Sequence, residues 1–297
     1  MPAAPISVPA ATHTTHATRA LVLCADDYAL HPLVDDAVEQ LTLAARLSAT
    51  SCMTTSPHWV ASAPRLAPLR PRLAVGLHFN LTESHGGAHA AHSLGAVLQR
   101  AYARQVPRGE AAAAWRTQLD AFEQAMGTPP DFIDGHQHVH QLPGLRDAML
   151  AELQARYAPH ERPWVRSTAP AGGLWRSPKA AVIALLGGWT ATRRWRRAGL
   201  ATNRGFGGVY GFDAPDAQSY GAQMAQWLPH MAPGGLLMCH PATGVVQGDA
   251  IAAQRPIEFA YLMSQEFGDL LQRSGCHVHQ GGEGPAQQGI GAGLLQP

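Results

Sequence analysis

The chain has 297 residues, 46% of them hydrophobic and 14% charged, with a formal net charge of +1. That is enough for one core of the size used by barrels and other α/β folds, roughly 250 residues. The near-neutral balance gives no electrostatic footprint for nucleic acid. Cys24, Cys52, Cys239 and Cys276 are widely separated and form no CxxC pair, which excludes a redox pair or a cysteine zinc site and leads us to expect reduced thiols.

Residues 1–19 are rich in Ala, Thr, Pro and His and lack a basic start followed by an apolar core. A disordered arm is expected there, with no signal peptide and hence a cytoplasmic location. Residues 20–279 are read as a single domain, and 280–297, rich in Gly and Gln, as a disordered tail.

The apolar run 20–25 predicts a buried strand, and Leu33, Val34, Ala37, Val38, Leu41 and Ala45 predict a helix over 33–47, with Pro32 at its start. A strand over 49–54, a proline-broken helix over 59–69 and a strand over 73–80 follow. This alternation predicts a mostly parallel sheet with right-handed crossovers, open or closed as a barrel. The stretch 82–108 shows no firm periodicity and is longer than a plain connector, so it is expected to be a loop that walls the site.

Helices are expected over 110–126, 145–157, 218–230 and 256–274, and further strands over 132–134, 164–166, 235–239 and 276–279. Between Lys179 and Leu200 an apolar run interrupted by Gly187-Gly188 leads into Arg193, Arg194, Trp195, Arg196 and Arg197. The apolar part is far short of the roughly 20 residues that span a bilayer. It is expected to be a barrel helix with a solvated basic end; the alternative is peripheral membrane or glycolipid contact through Trp189 to Arg197.

Chemistry gathers where these strands end. Asp26 and Asp27 end the first strand, His78 the third, Asp134 and His136 the strand after Pro130, and His240 the strand 236–239. In parallel α/β folds the carboxyl ends of the strands are where sites form. Two adjacent buried carboxylates oppose burial and each other, so a cation is expected beside them. One carboxylate with His78 and His136 is enough to hold a divalent ion and leave positions open, while the other carboxylate serves as general base. His240 is placed to protonate a leaving group. His136 to His140 are expected to run extended, so that alternate side chains share one face, with ligation, substrate contact (His138) and packing as the three roles. Arg166 is expected to orient the base or bind substrate, or else to form a surface ion pair.

The motifs Ala25-Asp26-Asp27-Tyr28, Gly76-Leu77-His78-Phe79-Asn80-Leu81-Thr82, Asp134-Gly135-His136-Gln137-His138-Val139-His140 and Cys239-His240-Pro241 resemble, in order, those of the YdjC/ChbG-like carbohydrate deacetylases. The resemblance implies a distorted (β/α) TIM-like barrel that removes N-acetyl groups from amino sugars, often as a homodimer. It implies one divalent metal, usually magnesium, although zinc or another transition metal also suits such a site. It assigns Asp27, His78 and His136 as metal ligands and Asp26 as the base. Two departures stand out: Tyr28-Ala29-Leu30-His31 replaces a Phe-Gly-Leu-Ser-like continuation, and Asp35 or Asp36 stands where an asparagine is common. The competing readings are hydrolysis of another amide or a phosphoester, and a non-catalytic metal or sugar-binding protein.

Overall fold

The computed structural model describes residues 18–88 and 91–281. The arm and tail expected to be disordered lie outside that range except for Thr18, Arg19, Gln280 and Gly281, and Arg19 already opens the first strand. The chain runs β1 (Arg19–Tyr28), α1 (Pro32–Leu43), β2 (Ala49–Cys52), α2 (Trp59–Leu66), β3 (Ala74–Phe79), α3 (Leu94–Tyr102), α4 (Arg108–Met126), β4 (Phe132–Gly135), α5 (Leu145–Arg156) and β5 (Trp164–Val165). It continues through α6 (Pro178–Ile183), α7 (Trp189–Arg197), β6 (Phe206–Gly207), α8 (Ala217–Trp227), β7 (Leu236–Cys239), α9 (Gln254–Met263), α10 (Gln265–Arg273) and β8 (Cys276–Val278).

All named strand pairs are parallel, in the order β5-β4-β3-β2-β1-β7-β6, with β8 beside the start of β1. Isolated parallel bridges from Val165 to Thr202 and from Pro170 to Phe206 link the two edges, so the sheet curls into the expected distorted barrel. Alternation along the strands then divides the core. Leu21, Leu23 and Ala25, with Val75, Leu77 and Phe79, pack in the large core shared with the helices. Val22, Cys24, Ala74, Phe132, Trp164 and Leu236 form a smaller core inside the barrel. Asp26, His78, Asp134, Arg166 and His240 take the next inward positions at the carboxyl ends. Strand parity alone therefore gathers them.

Several elements differ from expectation. The stretch 82–108 contains α3, whose Ser93 Oγ accepts from Ala96 N at 3.2 Å. Its Leu94, Val97, Leu98 and Ala101 form an apolar stripe too short to stand out in the sequence. The run His136–Gln141 is a 3-10 turn, not an extended segment, with Gln137 and His138 at positive φ, so its histidines diverge. The expected terminal helix breaks at Ser264, which is extended and caps α10. β6 was missed because two residues carry no periodicity.

Two consequences are measurable. A Cβ at Gly76 would lie 2.5 Å from Phe132 Cζ, inside the small core. Gly76→Val is expected to lower the urea-unfolding free energy by at least about 1–3 kcal/mol. Buried His140 donates Nε2–H to Arg166 O at 3.0 Å and stacks on Trp195. Burial keeps its ring neutral, lowering its pKa to about 3. Because an unfolded histidine titrates near pH 6.5, the unfolded chain takes up this proton first as the pH falls. The residue's contribution is full above about pH 6.5 and is lost toward pH 3, by roughly 1 kcal/mol per pH unit. In His140→Gln, which keeps a donor, unfolding free energies measured between about pH 6.5 and pH 4 should fall less steeply. Equal slopes would contradict this account.

Candidate active site

Strand alternation places Asp26 inward and would turn Asp27 outward. A break in the β1–β2 register between Ala25 and Tyr28 prevents that, and Asp27 itself has φ 69°. The bulge brings both carboxylates to one side, as bulges beside active sites do. Both side chains are buried.

Each carboxylate has its own guanidinium. Arg166, itself fully buried, donates from Nη1 to Asp26 Oδ2 at 2.7 Å and from Nη2 to Asp26 Oδ1 at 2.5 Å. Nη2 also lies 2.5 Å from Asp134 Oδ2. Arg255 donates from Nη2 to Asp27 Oδ2 at 2.7 Å and from Nε to Asp249 Oδ2 at 2.6 Å. Burial opposes ionisation of both aspartates, yet Arg166 holds Asp26, and Arg255 holds Asp27, below the usual carboxylate range. Arg166 is thus the partner of the proposed base, and the surface-pair alternative is excluded.

The free oxygen of Asp27 faces two imidazoles. Asp27 Oδ1 lies 3.3 Å from His78 Nε2 and 3.2 Å from His136 Nδ1. One ligand atom from each of the three residues falls within 4.8 Å of the others. His78 Nδ1 is taken by Asp134 Oδ1 at 2.6 Å, with Ser51 Oγ at 3.0 Å, which leaves Nε2 to point at Asp27. Burial favours the neutral His78 ring, but Asp134 and Asp27 outweigh it and push its pKa up to about 10. This surplus of negative charge, with convergent oxygen and nitrogen donors, fits a divalent cation. A second trio, Cys24, Asp26 and Asp134, also has ligand spacing, but the Arg166 guanidinium touches all three.

His240 follows β7, the strand adjoining β1 on the side away from β2. Its Nε2 lies 3.9 Å from Asp26 Oδ2, and its backbone N–H donates to Glu258 Oε2 at 2.6 Å. Tyr210 OH holds the other Glu258 oxygen, and Phe212 meets the His240 ring edge-on at 5.1 Å. His138 lines the same cleft, against Phe206. The cleft has a volume of about 440 Å³, and Asp26, Asp27, His78, His136, His138 and His240 all border it.

Sequence reasoning therefore named residues that the fold brings together, and it missed Arg255, Ser51 and Glu258. Ser51 could have been found from its inward parity on β2. Arg255 and Glu258 sit on α9 with no motif to single them out.

Ala29 has φ 70°, in the region glycine adopts most easily, and its N–H donates to Asp35 Oδ1 at 2.7 Å. His31 Nδ1 accepts from Leu33 N at 3.2 Å, the capping role a serine oxygen would fill.

A curated carbohydrate deacetylase of Mus musculus is 30% identical over 148 residues, 46% of this chain and 47% of that protein. A chitooligosaccharide deacetylase of Yersinia pestis (strain Pestoides F) is 30% identical over 152 residues, 47% of this chain and 57% of that protein. The chain thus spans about half the length of the curated relatives it matches. The solved structure of a candidate cellobiose-phosphate cleavage protein from Enterococcus faecalis V583 superposes with TM-score 0.66 at 18% identity. It covers 88% of this chain and 97% of that one, and supports the fold alone. The family described as YdjC-like protein matches residues 20–273, and the chain belongs to that family.

Proposed function

We propose that this chain is a metal-dependent deacetylase of N-acetylated amino sugars. The carrying observation is that Asp27, His78 and His136 converge on one point of a cleft whose adjoining positions are Asp26 and His240. The names of the curated relatives, carbohydrate deacetylase and chitooligosaccharide deacetylase, support the same reading.

In this reading Asp27 Oδ1, His78 and His136 hold the ion. Two imidazoles and one carboxylate suit Zn²⁺ or another first-row ion better than Mg²⁺, which prefers an all-oxygen shell. A divalent ion there would polarise the acetamide carbonyl and acidify a water.

The protein's own groups handle the protons. Asp26, kept ionised by Arg166, takes a proton from the attacking water as its oxygen bonds to the carbonyl carbon. Arg166 grips both carboxylate oxygens and so fixes their direction. The guanidinium also weakens Asp26 as a base. As the C–N bond breaks, His240 delivers a proton to the departing amine. Glu258 fixes the backbone of His240, and Phe212 limits its ring. His138 is assigned to substrate contact. Asp134 orients His78 and shares the Arg166 guanidinium, coupling the metal side of the site to the base side.

Acetate release from a panel of N-acetylated sugars tests the reading. Chelation should abolish release, and added Zn²⁺ or a similar ion should restore it. Asp26→Asn should lower kcat by about 10²- to 10⁴-fold while metal content measured by atomic absorption is retained. His78→Ala should lose the metal. If neither substitution lowers a measured acetate release, the assigned mechanism is wrong.

A further inference from the structure

The cleft is polar at the strand ends and at Glu83, Gln141, Lys179 and Asp249, and one stretch of its wall is aliphatic. Leu94 and Leu98 of α3, Leu142, and Val182, Ile183 and Leu186 on and just after α6 border it alongside the catalytic groups. Hydroxyls of a longer sugar chain would find no partners along these side chains, and leaving them unpaired is costly. The aliphatic surface also does not end inside the cleft. Val182 is 52% exposed, and the same short segment carries Leu185 at 73% and Trp189 at 38%.

Single exposed apolar residues are ordinary. Here three lie within eight residues, and one of them, Val182, is at once part of the cleft lining and open to solvent. The segment is held in place rather than loosely appended. Gln141 Nε2 donates to Ile183 O at 2.9 Å, and Gly187, at φ 128°, sits so close to Gln141 that a Cβ there would lie 2.8 Å from its carbonyl oxygen. Gln141 closes the same 3-10 turn that begins with His136. The apolar rim is thereby fixed relative to the reacting groups.

We infer that the amino sugar taken by this site carries a hydrocarbon aglycone, which leaves the cleft along Val182, Ile183 and Leu186 and over Leu185. The inference rests on the deacetylase reading and names its substrate class. The occupant is the substrate itself, because the exposed surface is continuous with the wall of the cleft.

Methyl, butyl, hexyl and octyl glycosides of N-acetylglucosamine, kept below micellar concentration, form the probe series. For the metal-loaded protein, kcat/KM is expected to rise with chain length, by up to about fourfold for each methylene that reaches the wall. The octyl-to-methyl ratio should fall in Val182→Asp and Leu185→Asp, whose exposed positions accept a charge without burying it; circular dichroism checks the fold. Acetate release independent of chain length would overturn the inference and leave the deacetylase reading standing. Release from none of the four would count against that reading, and calorimetric binding of the corresponding deacetylated glycosides would then decide the wall by itself. A Kd that falls with chain length supports the inference, and a flat Kd overturns it. If Leu185→Asp instead converts a dimer to a monomer in sedimentation and leaves the chain-length profile unchanged, the surface belongs to a second copy and the inference fails.

Discussion

Two buried guanidinium groups allow two adjacent carboxylates to stand at the end of one strand. Arg166 comes from the end of β5 and grips Asp26; Arg255 comes from α9 and grips Asp27. Buried charges of like sign at neighbouring positions would otherwise shift toward their neutral forms. With a separate cation for each, both remain ionised in a region almost closed to water. The two clamps also differ in what they leave free. Arg166 engages both oxygens of Asp26, whereas Arg255 engages only Oδ2 of Asp27 and leaves Oδ1 facing His78 and His136.

The backbone does the complementary work. Strand parity assigns one face to alternate residues, and by that rule Asp26 and Asp27 could not both serve one site. The bulge with Asp27 at positive φ breaks parity at that single point. On every other strand parity is kept, and His78, Asp134, Arg166 and His240 arrive by simple alternation. One local departure in an otherwise regular barrel is therefore enough to assemble the cluster.

This explains what could be read from the chain. Asp26, His78, Asp134 and His240 each follow an apolar run, and the end of a buried parallel strand is a place that sequence marks plainly. The barrel was legible for the same reason, since strands and helices alternate with clear apolar patterns. Arg255 and Glu258 were not legible, because their positions depend on how α9 packs across the top of β7 and β1, far away in sequence. The 3-10 turn from His136 was misread as extended: alternating histidines look like a strand, and nothing in the residue types announces that Gln137 and His138 adopt left-handed backbone. That error concerned which histidines share a face, and so it bore on His138 and His140 rather than on His136.

The two trios with ligand spacing differ in what already neutralises their negative charge. Cys24, Asp26 and Asp134 lie deeper in the barrel, where Arg166 bonds to all three and its planar fork satisfies several acceptors at once. Asp27, His78 and His136 lie at the rim, with one carboxylate oxygen and two ring nitrogens turned toward a common point and the cleft open beside them. Asp134 belongs to the first trio and holds His78 of the second, so the orientation of a rim imidazole is set by a carboxylate that Arg166 anchors. A disturbance of the inner guanidinium therefore reaches the rim through one hydrogen bond, and the two halves of the site are mechanically one unit.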